Sequence, residues 1–133
     1  MSDKMKQWSY RLGAIFYVIW GLLHFVAAYR IYELGTAQDP GSVQARLFQG
    51  GWNMAVIAVM TIVIAAFLNW KNSRTGYWLN LLLVSFTDIG FILLLMLPGY
   101  SNDILGPITW ILGAIFSTIG IRSASQQASS ETG

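Results

Sequence analysis

Four long stretches of the 133-residue sequence are almost free of charge, and they decide what the chain can fold into. Residues 12–29, 47–70 and 104–121 contain no Asp, Glu, Lys or Arg, and Asp88 is the single such residue between 75 and 102. A helix needs about 20 mainly apolar residues to cross roughly 30 Å of hydrocarbon. The sequence therefore predicts an all-α, antiparallel four-helix membrane bundle with spans near 12–29, 52–69, 76–97 and 104–121.

Composition excludes several other classes of protein. Only 11% of the residues are charged, against about 25% in soluble domains, and the mean hydropathy is +0.53. The net charge of +2 arises without a basic run, so no nucleic-acid partner is expected. The absence of cysteine excludes disulfides and thiolate metal sites. Because four spans use most of the chain, residues 1–122 are expected to form a single membrane domain.

The basic residues predict how the bundle is oriented in the membrane. With four spans, both termini lie on the same side as the turn at 69–76. That side holds six basic residues, whereas the other side holds only Arg30 and Arg46. The six are Lys4, Lys6, Arg11, Lys71, Arg74 and Arg122. The positive-inside rule therefore predicts cytoplasmic termini, and we expect an integral protein of a bacterial inner membrane.

Two segments outside the spans carry predictions of their own. Asp39-Pro40 is suited to begin a helix, so residues 42–49 are expected to form a short amphipathic helix at the outer surface. Gly50-Gly51 would end or bend that helix, which either covers a cavity or simply joins two spans. Residues 123–133 are small and polar and are expected to form a disordered tail.

Asp88 and the only histidine, His24, are the candidate centre of chemistry. An ionisable group in hydrocarbon is expensive and is by default a functional-site hypothesis. At 1.5 Å per residue, Asp88 lies about 15 Å and His24 about 9 Å below the outer membrane boundary. We therefore expect the two groups to meet in the outer half of the bundle, where burial favours a protonated Asp88. Alternatively, both groups simply join neighbouring helices.

Aromatic and hydroxyl side chains at the same level predict a pocket around these two groups. Helical spacing of three and four residues puts several of them on the faces that carry His24 and Asp88. The pocket would suit a small apolar ligand, a lipid or a flat cofactor. One axial imidazole is sufficient for haem, so haem b on the His24 nitrogen is the one metal cofactor that the composition readily permits. The candidate pocket residues are Tyr17, Trp20, Trp52, Thr87, Phe91 and Trp110.

The middle of the chain carries a further pattern, over about residues 44–97. The run from Gln44 to Val59 is followed by a short basic turn and then by Asp88-Ile89-Gly90-Phe91. This pattern resembles the membrane-bound styrene oxide isomerases. The resemblance implies a small four-span bundle that forms trimers and holds haem b between subunits. In that family the haem acts as a Lewis acid on an epoxide oxygen, and the product is an aldehyde.

The resemblance also bears on individual residues. Asn53 matches the family's asparagine at the outer end of the second span, which implies that it orients the substrate oxygen. At the position of the family's haem-ligating histidine, just after Ala45-Arg46, this chain has Leu47-Phe48. A haem in this protein would therefore need His24 from another helix, or the cofactor has been lost.

Three functional hypotheses follow from the sequence. The first is a membrane-embedded enzyme similar to the epoxide isomerases, in which Asn53 orients a small apolar substrate and either haem iron on His24 or the Asp88 proton activates it. The second is a noncatalytic haem- or lipophile-binding membrane protein, and the third is a structural or accessory membrane subunit. Because so small a bundle has little interior, burying Asp88 and His24 is expected to require a homo-oligomer, most simply a trimer.

Overall fold

The structure is a computed structural model that describes residues 3–130, with the backbone alone described at residues 3, 5–7 and 127. Over this range the chain forms four long helices, which we number α1 (Asp3–Thr36), α2 (Ser42–Phe67), α3 (Arg74–Phe91) and α4 (Leu105–Ser130). A 3-10 turn (Asn69–Lys71) follows α2, and a π-helical turn (Ile92–Met96) extends α3. All four helical segments are long and apolar enough to cross a membrane, so the chain is an all-α protein with four candidate spans.

The connection between α2 and α3 is sharp because its residues suit a turn. Asn72 has a φ of 54°, in the left-handed region that asparagine tolerates better than most residues. Ser73 then caps α3, since its hydroxyl accepts a hydrogen bond from the Gly76 N–H at 3.4 Å. The Asn72 side chain also donates to the Gly120 carbonyl at 3.1 Å, which ties this turn to α4.

The contacts between helices form a ring in which α1 and α3 lie diagonally across the bundle. α1 packs most extensively on α2 and α4, and α3 packs on those same two helices. The buried core contains Tyr17 and Trp20 from α1, Ala65 from α2 and Val84 from α3. Large side chains from α1 therefore fill the centre of the bundle and reach toward α3.

Glycines allow α1 to approach its neighbours closely. A Cβ atom added at Gly13 would lie 2.8 Å from the Ser117 backbone nitrogen on α4, and one at Gly21 would lie 3.0 Å from the Ala58 carbonyl oxygen on α2. Within a bilayer the hydrophobic effect does not drive apolar helices together. Close contacts at small residues hold them instead by van der Waals packing. The position of α1 therefore depends on these glycines.

Polar side chains join α2 to α3 near the turn that connects them. The Asn80 side-chain amide donates to the Thr61 carbonyl at 3.2 Å and to the Asn69 side-chain oxygen at 2.9 Å. All three residues are buried. These hydrogen bonds satisfy the Asn80 amide nitrogen, whereas its side-chain oxygen is buried without a hydrogen-bond partner among the described residues.

Two local predictions differ from the observed helices. Residues 42–49 are helical, but they are the first part of α2, which continues unbroken through Gly50-Gly51. Gly51 is buried against α1, where an added Cβ would lie 3.1 Å from the Ala28 carbonyl oxygen, so it serves close packing and not a break. The predicted disordered tail is helical as far as Ser130, and serine hydroxyls there, such as that of Ser123, donate to the carbonyl group one turn earlier, here that of Ile119. Residues 131–133 lie outside the described range.

Replacing Gly13 by alanine is expected to destabilise the bundle by about 1–3 kcal/mol, because the added methyl group would overlap the Ser117 backbone. The matched control is Gly90→Ala, where nothing lies within 4 Å of an added Cβ. That variant should be neutral or stabilised by up to about 1 kcal/mol, since alanine favours the helix. Thermal unfolding in detergent, followed by circular dichroism, compares them, and equal effects of the two substitutions would contradict the close packing of α1 on α4.

Candidate functional site

His24 and Asp88 meet in the interior of the bundle, between the diagonal helices α1 and α3. The His24 Nε2 atom lies 3.6 Å from Asp88 Oδ1. Asp88 is fully buried and His24 retains only 8% of its surface exposed. The separation is longer than a hydrogen bond but within the range of a close polar pair. The imidazole and carboxyl groups that the sequence singles out are therefore neighbours, and we call them the His24–Asp88 pair.

Trp20 holds both members of the pair in place. Its indole Nε1 donates a hydrogen bond to Asp88 Oδ2 at 2.9 Å. Its ring stacks on the His24 imidazole with centroids 3.6 Å apart and an interplanar angle of 21°. This stack follows from sequence, because residues four apart on a helix lie one above the other on the same face. One tryptophan therefore orients the imidazole and satisfies one carboxyl oxygen.

The hydrogen bonds of His24 define where its protons lie. Its Nδ1 atom is 2.8 Å from the Trp20 carbonyl oxygen, which can only accept a hydrogen bond, so Nδ1 carries a proton. In a neutral ring Nε2 then presents a lone pair to Asp88 Oδ1. A lone pair facing a carboxylate would be repelled, so a proton on either atom favours the pair, although at 3.6 Å no hydrogen bond joins Nε2 to Oδ1. Whether that proton resides on the ring or on the carboxyl group, the pair is neutral overall, as its burial in the bundle demands.

Helix α4 covers the pair with a residue that has no side chain. A Cβ atom added at Gly106 would lie 3.3 Å from His24 Cε1 and 3.8 Å from Asp88 Oδ1. The nearby Thr109 hydroxyl is occupied, since it donates to the Leu105 and Gly106 carbonyl groups at 2.9 Å each. Asp88 Oδ1 has no hydrogen-bond partner among the described residues. It is therefore the buried carboxyl oxygen of the site that is left unsatisfied.

The remaining pocket candidates on α1, α3 and α4 are Tyr17, which is buried, and Thr87, Phe91 and Trp110, which are partly buried. Tyr17 belongs to the same buried core as Trp20, and Trp110 packs against that core. The Trp110 indole donates to the Ser85 hydroxyl at 2.9 Å, and the Thr87 hydroxyl donates to the Leu83 carbonyl at 2.9 Å. Phe91 is half-buried at the end of α3. The hydrogen bonds of Trp110 and Thr87 therefore go to groups other than the pair.

Asn53 and Trp52 lie outside this interior, so a single chain does not place them with the pair as the sequence predicts. Asn53 is exposed, and Trp52 is 71% exposed. The packed face of α2 is the one that carries Gly51, Ala58, Thr61 and Ala65. Because successive residues are rotated by about 100° around a helix, the positions after Gly51 turn away from the packed face. The sequence predicts how deep these two residues lie in the membrane, but it does not predict which face of α2 they occupy.

The arrangement around His24 does not fit axial haem ligation within one chain. One ring nitrogen bonds the Trp20 carbonyl and the other faces the Asp88 carboxyl group, while the ring itself stacks on Trp20. A haem iron needs a free nitrogen lone pair with room for a flat macrocycle above it. Within residues 3–130, no group of three or more His, Asp or Glu side chains is placed to hold a metal ion. Haem b on His24 stays a prediction.

The site contains two further residues, of which Trp20 can be predicted in part from the sequence and Gly106 cannot. Trp20 was a pocket candidate, and its four-residue spacing from His24 predicts their stacking, but its hydrogen bond to Asp88 depends on how α1 and α3 are rotated. Gly106 stands near the start of the fourth span, at the depth of the pair. No pattern in the sequence distinguishes it from glycines that serve packing alone.

Comparison of the chain with family models, with curated proteins and with solved structures found no match. The resemblance to the styrene oxide isomerases therefore stays a prediction. The function has to be inferred from the chemistry of the site.

Replacing Trp20 by phenylalanine is expected to destabilise the protein by about 1–3 kcal/mol, because Asp88 Oδ2 loses its buried hydrogen-bond donor. Trp110→Phe is the matched control, since it removes an indole donor from a half-buried contact with the Ser85 hydroxyl. Thermal unfolding in detergent should show the larger loss for Trp20→Phe. A loss in Trp110→Phe that equals or exceeds it would contradict the role assigned to the Trp20 indole.

Proposed function

We propose that the protein is a membrane-embedded enzyme that transfers protons to and from a small apolar substrate, resembling the epoxide isomerases in reaction type. The observation that carries this proposal is the buried His24–Asp88 pair, whose atoms Nε2 and Oδ1 are 3.6 Å apart. A general acid and base must be able to hold and exchange a proton next to the reacting atom. Asp88 Oδ1, with no hydrogen-bond partner among the described residues, is suited to that exchange.

With an epoxide substrate, the pair gives up one proton and receives one proton back in each reaction cycle. The protonated carboxyl group donates its proton to the epoxide oxygen as a carbon–oxygen bond breaks. A hydride then shifts from the carbon that carries oxygen to the neighbouring cationic carbon, which leaves a protonated aldehyde. That proton returns to Asp88 Oδ1 or to His24 Nε2, so the pair ends in its starting state. The Asp88 carboxylate left by the first step balances the charge of the cationic intermediate, and exclusion of water from the apolar interior protects that intermediate from hydration to a diol.

We also propose the membrane arrangement and assembly in which this enzyme works. The residue pairs across the α1–α4 contact support antiparallel packing, since Tyr10 lies against Gly120 while His24 lies against Gly106. The distribution of basic residues supports cytoplasmic termini, and we place the protein in a bacterial inner membrane.

We propose a trimer as the assembly, and the position of Asn53 supports it. The amide is exposed on a candidate span of the single chain, and an amide facing hydrocarbon needs a hydrogen-bond partner. A neighbouring subunit would supply one. In that arrangement Asn53 orients the substrate oxygen at the subunit boundary, next to the exposed Trp52 side chain.

A structural or accessory role is the second candidate, because the same contacts join helices. The hydrogen bond from Trp20 to Asp88 links α1 to α3, which have little other contact. If the pair serves assembly alone, its substitution lowers stability without removing any reaction. A noncatalytic lipophile-binding role would leave binding of an apolar ligand but no turnover.

Asp88→Asn is expected to lower the rate of aldehyde formation from an aryl epoxide by about 100-fold or more, because the amide cannot take up and return the proton. His24→Gln should have a similar effect. The matched control is Asp39→Asn, which changes an exposed acid between α1 and α2. Gas chromatography of the product from proteoliposomes gives the rates, and thermal unfolding of each variant separates lost chemistry from lost folding. A folded Asp88→Asn variant with the wild-type rate would rule out acid–base catalysis by the pair.

The absorption spectrum of the detergent-purified protein between about 380 and 600 nm distinguishes proton transfer from haem chemistry. The proposal expects epoxide turnover in preparations without a Soret band, because both His24 nitrogens are already engaged. A Soret band that disappears in His24→Ala but persists in Trp110→Phe would instead assign His24 to haem b iron.

A further inference from the structure

An apolar groove of about 350 Å³ runs along the outer surface between α1 and α2, away from the His24–Asp88 pair. The floor of the groove is formed by two buried alanines, Ala14 on α1 and Ala65 on α2. Their small side chains make the groove deep. Exposed side chains, among them Ile19 and Ala66, form its sides. Because the four helices are candidate membrane spans, a groove open to this surface faces acyl chains and not water.

Trp70 closes one end of the groove, and the cation of Arg11 stands beside it. The Arg11 guanidinium carbon is 5.4 Å from the centroid of the Trp70 ring and 4.4 Å from that of Trp8. Arg11 precedes the groove residues Ala14 and Val18 by three and seven positions, so all of them lie on one face of α1. The cation is therefore at the mouth of the groove and in line with it.

Arg11 lacks an anionic partner in the part of the chain that the structure describes. Its Nε atom is buried without a hydrogen-bond acceptor. The ion pairs between described side chains involve His24 with Asp88 and Arg30 with Asp103, not Arg11. Indole rings attract the guanidinium through their faces but leave its positive charge uncompensated. A phosphate matches the fork of N–H donors that guanidinium presents.

We propose that this groove binds an anionic phospholipid, with one acyl chain along Ala14, Val18 and Ala65 and the phosphate group at the Arg11 guanidinium. The dimensions agree with one leaflet. From Arg11 to Ile19 the helix rises about 12 Å, which is close to half of a hydrocarbon core of about 30 Å. Trp8 and Trp70 at the mouth lie where indole rings favour the headgroup region. This inference does not depend on the proposed enzymatic activity.

Native mass spectrometry in detergent with added phosphatidylglycerol or phosphatidylcholine tests the headgroup. The wild-type protein should retain phosphatidylglycerol about five-fold more than phosphatidylcholine, the preference expected of one cation at a membrane surface. Arg11→Gln should abolish this preference, whereas Arg74→Gln, at an exposed arginine on the first turn of α3, should keep it. Equal retention of the two lipids by the wild-type protein, or equal losses in the two variants, would overturn the site at Arg11.

The acyl-chain site is tested by filling the groove. Ala66→Phe should reduce retention of both lipids, because the ring occupies the space of the acyl chain, whereas Ala45→Phe, on an exposed part of α2 outside the groove, should not. Equal effects of these two substitutions would show that the lipid lies elsewhere.

If Arg11→Gln does not fold, lipid binding can be measured on protein that retains Arg11, through quenching of tryptophan fluorescence by brominated acyl chains. Brominated phosphatidylglycerol should quench tryptophan fluorescence more than brominated phosphatidylcholine. That difference should shrink in Trp70→Phe and persist in Trp78→Phe, which lies outside the groove. The proposal is contradicted if the two brominated lipids quench the wild-type protein equally, or if the difference between them is as large in Trp70→Phe as in the wild type.

Discussion

A single carboxyl group in the hydrocarbon interior imposes the constraint around which this bundle is organised. A buried polar group without a partner costs several kcal/mol, and among the described residues only one Asp88 oxygen, Oδ2, accepts a hydrogen bond. The partners come from α1, which gives Trp20 as the donor and His24 as the neighbouring base. α1 and α3 are diagonal in the bundle and do not pack closely, so only long side chains cross between them. The polar contact therefore fixes the rotation of α3, and the glycine contacts of α1 fix its distance from α2 and α4.

Depth could be predicted from the sequence, but rotation about the helix axes could not. The meeting of His24 with Asp88 follows from their similar distance to the outer boundary and from the need of a buried acid for a partner. Asn53 shows the limit of that reasoning, since its depth is similar but its side chain is exposed on α2. Hydrophobic periodicity separates faces poorly when every face of a span is apolar. The hydrogen bond of Trp20 and the close approach of Gly106 depend on such rotations and were therefore not predictable.

The two polar clusters of the interior solve the same problem with different chemistry. Near the α2–α3 turn, Asn80 bonds the Thr61 carbonyl and the Asn69 side chain, and none of these groups takes up or releases a proton near neutral pH. That network can only hold helices together. The His24–Asp88 pair also lies between two helices, but it places an imidazole and a carboxyl group, both of which exchange protons in this pH range, 3.6 Å apart. The proposed proton transfer therefore belongs to the pair and not to the amide network.

The lipid groove and the interior site are linked because they use different faces of one helix. Ile15 and Ile19 line the groove and Arg11 stands at its mouth beside Trp70, whereas Tyr17 and Trp20 are buried in the core. A lipid phosphate on Arg11 would fix the depth of α1 at one membrane boundary. His24 lies about 20 Å further along the helix, which is beyond the midplane of a hydrocarbon core of about 30 Å. The same contact that anchors α1 would thus hold the imidazole in the opposite half of the bilayer, at the depth that α3 gives to the carboxyl group.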